Sequence, residues 1–298
     1  KNLRQLHRAV WQGPCSDSTT GIRPCSRQNM RLLAVAFALC QPAASAGVPK
    51  VVVRLYGESG CPYTERFILG PLRALAHADG LAEVLDFDLV PFGNAYYVTP
   101  DSLCGGGNRV DSYRWGSSGG LYNLAVRKCF NRECGRGGPQ PEGCYQQGPY
   151  CQHGAAECAL NEAQACAQES FSGLAELVTA VACIQTSFHS VAASGKSSVE
   201  PAVRACMAEL AAEPGPLLAC LSDRERVGRQ SVQMAKATPP HPGVPYLEVT
   251  NKTGVPVVLD VPDSHIPSDL LIRAVCSAWA YNGGSPVAAC DTQTNILP

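Results

Sequence analysis

Cysteine is the residue that most constrains this fold. The chain of 298 residues carries 16 of them. How many belong to the folded part depends on the front of the chain. It begins at Lys1, and the first methionine is Met30, followed by Arg31, the apolar run Leu32–Leu39, and Cys40-Gln-Pro-Ala-Ala-Ser-Ala46. A basic start, a short apolar stretch and a small-residue A-x-A end predict a secretory signal peptide over 30–46, and the run is too short to span a bilayer. Residues 1–29 show no hydrophobic period and read as an upstream extension; a longer transit segment is the alternative. Cys15, Cys25 and Cys40 leave with that front segment, so 13 cysteines remain in 252 residues. An odd count in an oxidising compartment means paired cysteines plus one free thiol or one intermolecular bond. The remaining 18 basic and 24 acidic side chains give a net charge of −6. That balance offers no electrostatic footprint for nucleic acid or an anionic membrane surface.

The position of Cys61 marks it as the free one. Val51-Val-Val-Arg-Leu-Tyr56 predicts a strand, Gly57-Glu-Ser-Gly60 a turn, and Thr64–Ala78 a helix with Phe67, Ile68, Leu72, Leu75 and Ala76 at three- and four-residue spacing. Pro71 predicts a kink or break near Gly70. Cys61 therefore stands where a helix begins, and a helix N-terminus favours the thiolate, the nucleophilic form. In place of the second cysteine of a C-x-x-C pair stands Thr64. Twelve cysteines are then candidates for disulfides: Cys104, Cys129, Cys134, Cys144, Cys151, Cys158, Cys166, Cys183, Cys206, Cys220, Cys276 and Cys290. A zinc reading of Cys151, His153, Cys158 and Cys166 lacks the paired C-x2-C spacing and is set aside, so no metal is expected.

Along the chain, Leu81–Val90 predicts a second strand, completing the first half of a core over 47–95. Residues 96–150 are rich in glycine and cysteine and predict a stapled insertion, with Leu121–Cys129 the one candidate regular element. Gly105-Gly-Gly107 follows no strand and has no P-loop lysine, so it is not a phosphate cradle. Residues 151–238 predict a helical, disulfide-linked insertion: helices from Ala155, from Ser198, and from Pro216 to Lys236. In 239–298 the pattern returns to strands, Pro245–Thr250 and Val255–Val261 around the turn Asn251–Gly254, then a helix over Ser268–Tyr281. The order defines an α/β chain, a thioredoxin-like core with a disulfide-stapled helical insertion. Val244-Pro245 opens the strand after the insertion. It is either an ordinary strand-start proline or a cis bond set beside the thiol, and the layout of the whole chain favours the second. Asn251-Lys-Thr253 is an N-glycosylation sequon on that turn.

Cys151-Gln-His-Gly-Ala-Ala-Glu-Cys158, followed by Asn161 and Cys166, resembles the signature of the gamma-interferon-inducible lysosomal thiol reductases. Leu89–Ala95, Cys183, Cys206, Cys220, Val244-Pro245-Tyr246, and Cys276 with Cys290 extend the resemblance over about residues 50–290, interrupted by 96–150. It implies a thioredoxin-like fold, a lysosomal, vacuolar or secreted location reached through the secretory pathway, and reduction of protein disulfides at acid pH. It also implies a catalytic C-x-x-C, of which Cys61 matches the nucleophile, while Thr64 departs from the second cysteine. Pro245 matches the proline facing the thiol. The signature residues are Cys151, Gln152, His153, Gly154, Glu157, Cys158, Asn161 and Cys166. On their own chemistry Gln152, His153 and Gly154 read as structural rather than catalytic, His153 as a donor to backbone at a helix start, with Glu157 as acidic complement to that helix terminus. The expected function is thiol–disulfide exchange on protein disulfides through one cysteine. An external small thiol, cysteine or glutathione, resolves the mixed disulfide, and no cofactor is needed. The alternatives are disulfide isomerisation and a non-catalytic binding protein that kept the fold.

Overall fold

The computed structural model describes residues 47–99, 113–114, 121–122, 124–194, 199–259 and 266–291. The expected upstream extension and signal peptide (1–46), Cys104 and the glycine run 105–107 lie outside the described residues. Val48–Pro298 forms one compact unit.

A four-stranded mixed sheet has the order β2-β1-β7-β8. Strand β1 (Val51–Gly57) runs parallel to β2 (Leu85–Pro91) and antiparallel to β7 (Tyr246–Thr250). The edge strand β8 (Pro256–Val258) pairs antiparallel with β7, Glu248 opposite Val258. Parallel neighbours need a crossover, and the chain between β1 and β2 supplies one. It holds α1 (Pro62–Phe67), a π-helical turn over Ile68–Leu72, α2 (Arg73–Ala76) and α3 (Leu81–Val84). The expected break at Pro71 is a π-turn instead: the wider turn absorbs the missing proline N–H and the helical run continues. Leu81–Val84, expected as strand, is a helical turn. Leu81 and Val84 are both buried, which a spacing of three allows on a helix but not on one face of a strand.

The described part of the insertion 96–150 holds more regular structure than its composition suggested. Strand β3 (Tyr96–Val98) pairs with β6 (Gln147–Tyr150), and Tyr113–Arg114 (β4) with Leu121–Tyr122 (β5). Helix α4 (Leu124–Glu133) buries Val126 and Phe130 in an aromatic cluster with Tyr56, Phe92, Tyr96 and Tyr97. The helical segment is α5 (Ala155–Ser170), α6 (Leu174–Thr186), α7 (Phe188–Ser194), α8 (Val199–Glu209), α9 (Gly215–Ser222) and α10 (Arg224–Ala237). The helix expected over Pro216–Lys236 is two. Asp223 ends α9 and caps α10, its Oδ1 accepting from the Arg226 N–H at 3.0 Å. Helix α11 (Ser268–Asn282) packs on β1, β7 and the π-turn, and α5 packs on β2. Among the described residues no single helix is long and apolar enough to cross a membrane.

Five disulfides fall among the described residues: Cys134–Cys144, Cys151–Cys158, Cys166–Cys220, Cys183–Cys206 and Cys276–Cys290. Cys129 is also disulfide-bonded. Cys166–Cys220 ties α5 to α9, and Cys183–Cys206 ties α6 to α8.

Candidate active site

Cys61 is the free cysteine among the described residues and the N-cap of α1. It follows from the local sequence: Pro62 at the first helical position has no N–H to leave unpaired, and its ring presets the helical φ. The thiol is 6% exposed, and its Sγ lies 3.9 Å from the carbonyl of Val244, to which it donates. The Val244–Pro245 bond is cis, the second of the two readings left open by the sequence, and so is Gly148–Pro149. Thr64 is buried at 1% exposure, and its Oγ1 has no hydrogen-bond partner.

The turn before Cys61 is pinned by the signature residues. Ser59 N–H donates to Asn161 Oδ1 at 2.8 Å, and Ser59 Oγ donates to the Glu157 carbonyl at 3.0 Å. Gln185 on α6 donates from Nε2 to the carbonyls of Glu58 (3.2 Å) and Ser59 (2.9 Å). Gly60 makes the close approach possible, since a Cβ there would come within 2.7 Å of His153 Cβ and also overlap the Glu157 carboxylate. Cys151–Cys158 closes the signature loop, and Gly154, at φ 91°, is the N-cap of α5.

Beneath the thiol lies a buried cluster that the sequence did not disclose. Glu58 is fully buried, with Oε2 accepting from Asn94 N–H at 2.9 Å and Oε1 accepting from Asn94 Nδ2 at 3.2 Å. Asn94 Nδ2 also donates to Gln152 Oε1 at 2.6 Å. Gly93, at φ 52°, brings that loop in; a Cβ there would lie 2.8 Å from Glu58 Oε2. His153 Nδ1 is hydrogen-bonded to Glu157 Oε2 and stands 3.8 Å from Glu58 Oε1. His153 thus bonds a carboxylate and not backbone, contrary to expectation, and its ring meets Phe188 edge-on. Glu157 does face its helix terminus, Oε1 accepting from His153 N–H at 3.4 Å.

Glu58, His153 and Glu157 each offer a ligand atom, all within 4.8 Å of one another, the set a metal ion would use among the described residues. Their hydrogen bonding argues against that use: His153 Nδ1 is already bonded to Glu157, and Asn94 donates to both oxygens of Glu58. The cluster is read as carboxylates and an imidazole sharing protons.

Burial, then the neighbouring Glu157, raise the Glu58 carboxyl to about 8, with His153, Asn94 and Arg127 acting the other way. Burial lowers His153, but its hydrogen bond to Glu157 and the two nearby carboxylates outweigh that and raise it. Cys61 is the main correction to the sequence reading. The Thr64 and Tyr63 N–H groups of the helix terminus and the Thr64 hydroxyl favour the thiolate, as expected. Burial and the charge of Glu58 are larger and push the thiol up to about 11.

A second chain of contacts joins the insertion to the segment that leads into β7. Arg127 on α4 donates to His241 Nε2 at 2.9 Å, and His241 Nδ1–H donates to the Pro239 carbonyl at 2.7 Å. Burial, then Arg127, lower His241 to about 4, so it is neutral. Asn251 and the Cys276–Cys290 pair play no part in this constellation. Asn251 Oδ1 accepts from Thr253 N–H at 2.9 Å and Thr253 Oγ1 at 2.7 Å within its turn.

The missed residues carried faint signals. Glu58 stands three positions before Cys61, and Asn94 lies in a stretch already noted for its resemblance. Nothing local showed that either is buried.

A free thiol at a helix start, beside a buried acid cluster in a disulfide-stapled α/β protein, is an arrangement suited to thiol–disulfide chemistry. A family model described as gamma interferon inducible lysosomal thiol reductase (GILT) matches residues 52–108 and 139–210, and the chain belongs to that family. Comparison with curated proteins gives no match. Membership supports thiol–disulfide oxidoreductase chemistry as the activity class, with disulfide-containing proteins as the substrates the family implies. The family is lysosomal, and five disulfides accord with the secretory pathway.

Proposed function

We propose that this protein is a single-thiol disulfide reductase whose nucleophile is Cys61. The supporting observation is that Cys61 is free at the head of α1 while the other described cysteines are disulfide-bonded. The β1–helix–β2 unit, the β7–β8 hairpin and α11 support reading the sheet and its coverings as a thioredoxin-like core, with Pro245 at the start of the strand beside the thiol.

The Cys61 thiolate attacks one sulfur of a substrate disulfide. A Cys61–substrate bond forms, the substrate bond breaks, and the departing sulfur takes up a proton. Thr64 has no sulfur to expel the substrate. A small thiol such as cysteine or glutathione therefore attacks the mixed disulfide and frees Cys61. A second small thiol frees the remaining substrate sulfur, so two small thiols become one disulfide as the substrate gains two thiols. No cofactor enters. Where a thiol of the substrate itself resolves the adduct, the outcome is isomerisation. The working place is the lysosome or another compartment of the secretory route, and Asn251 on its exposed turn is a glycan acceptor there.

Cys61→Ser tests the reading. Reduction of a denatured disulfide-bonded protein with free cysteine supplied is lost in the variant and present in wild type. Thr64→Cys raises turnover if resolution limits it. The burial of Cys61 and its raised pKa favour one other reading, a binding protein that retains the fold without turnover. An inactive wild type that still binds denatured protein would establish that one.

A further inference from the structure

Glu58 lies too deep to touch substrate, yet it and Cys61 are both buried on one four-residue turn, where little water screens a carboxylate from a thiol. The two are three residues apart, joined by a hydrogen bond from Cys61 N–H to the Glu58 carbonyl at 3.2 Å. Gln185 fixes the peptide between them, and Asn94 fixes the carboxyl itself. We propose that Glu58 is a positioning residue for charge: its carboxyl opposes thiolate formation at Cys61 when ionised and ceases to oppose it when protonated. This deepens the assignment of Cys61 as nucleophile and rests on it.

The surroundings decide when the switch occurs. Glu58 faces Glu157 from α5, His153 from the turn before α5, Asn94 from the loop after β2, and Arg127 from α4. Cys61 faces Glu58 as its charged neighbour, against the donors of Tyr63 and Thr64. In acid Glu58 is neutral and His153 holds its proton, so no charge on Glu58 bears on the thiol. Above about 8, Glu58 adds an uncompensated charge beneath the thiol. The enzyme thereby keeps its thiol easier to ionise in an acidic compartment than the same burial with a fixed carboxylate would allow.

The effect has a signature in the shape of a pH profile. With coupled groups, the thiolate population of the wild type rises tenfold per pH unit in acid. It flattens as Glu58 ionises, because each further proton lost comes from the carboxyl and makes the next loss at sulfur harder. With a neutral residue at 58 the rise continues without a bend. Opening of the buried site, made easier in wild type as Glu58 ionises, speeds modification above the bend and so acts against the flattening; amide hydrogen exchange across the same pH series measures it.

The experiment is the rate of iodoacetamide modification of Cys61 in the native full chain under non-reducing conditions, followed by peptide mass mapping across a pH series. The expected result is a wild-type profile that bends near 8 and a Glu58→Gln profile that does not. The two converge in acid, and the variant reacts several-fold to about tenfold faster well above the bend, tenfold for each pKa unit that the charge contributes. His153→Gln serves as a second variant. His153 helps Glu58 lose its proton, so its removal moves the bend to higher pH. Parallel wild-type and Glu58→Gln profiles, or a wild-type profile with no bend, would overturn the role of Glu58 and leave Cys61 as the nucleophile. No modification of Cys61 in any of these proteins at any pH would overturn both.

Discussion

Thr64 stands where a second thiol would be, and replacing it by valine separates two consequences of its hydroxyl. The side chain is 1% exposed, and Oγ1 has no partner while Cys61 is protonated. Its Cγ2 packs so tightly on Gly57 that a Cβ on that glycine would lie 2.7 Å away. An unpaired buried hydroxyl costs about 1–3 kcal/mol, and valine keeps the shape while removing it. Part of that gain is offset because a methyl is larger than a hydroxyl. Thr64→Val should therefore stabilise the protein by about 1 kcal/mol, a rise in Tm of roughly 2–4 °C for a domain of this size. The same hydroxyl favours the Cys61 thiolate. A hydrogen bond to a charged group is worth about 1.5–3 kcal/mol, so its loss should slow Cys61 alkylation about tenfold or more at a fixed pH below the thiol pKa. Thermal denaturation and iodoacetamide kinetics on the same preparation measure both. A variant that is less stable and alkylates at the wild-type rate would refute the view that an orphan hydroxyl is held ready for the thiolate.

Stability should also depend on pH through Glu58. Its carboxyl is raised from 4.5 to about 8 in the folded protein, so the native state holds a proton that the unfolded chain releases. The contribution is fully present below about 4.5 and is lost as pH rises through about 8, on the order of a few kcal/mol. Denaturant midpoints of wild type relative to Glu58→Gln should fall across that window; a constant difference would contradict it. Removing Cys166–Cys220, which closes a separation of 54 residues, should cost about 4 kcal/mol of stability by loop entropy. Removing Cys151–Cys158, with a separation of 7, should cost about 2 kcal/mol. Equilibrium unfolding of the paired cysteine-to-alanine variants measures both, and the reverse ranking would contradict the entropic account.

The parts of the fold legible in the sequence were those with strong local signals. Val51–Tyr56 and Tyr246–Thr250 are strands because β-branched and aromatic residues run between turn signals. The helix after Cys61 was visible in its apolar spacing. Its π-turn was not, because a proline reports only that the regular helix cannot continue and leaves open how the chain accommodates it. Helix α4 was blurred by the glycines around it, although Val126 and Phe130 mark its buried face. The free cysteine was legible from parity. The raised pKa of Cys61 was not, since a helix terminus is local and the opposing effects, burial and a carboxylate wedged between Asn94 and His153, are products of tertiary packing.

The central claim is that Cys61 alone forms the covalent intermediate and that an outside thiol releases it. The direct measurement is to mix the native protein with an excess of a disulfide-bonded peptide without small thiols, and to follow intact mass and the site of attachment. The account predicts one peptide joined at Cys61, persisting until free cysteine is added and then cleared with return of the free thiol. Attachment at another cysteine, no attachment at all, or release of the peptide in its reduced form without any added thiol would contradict it.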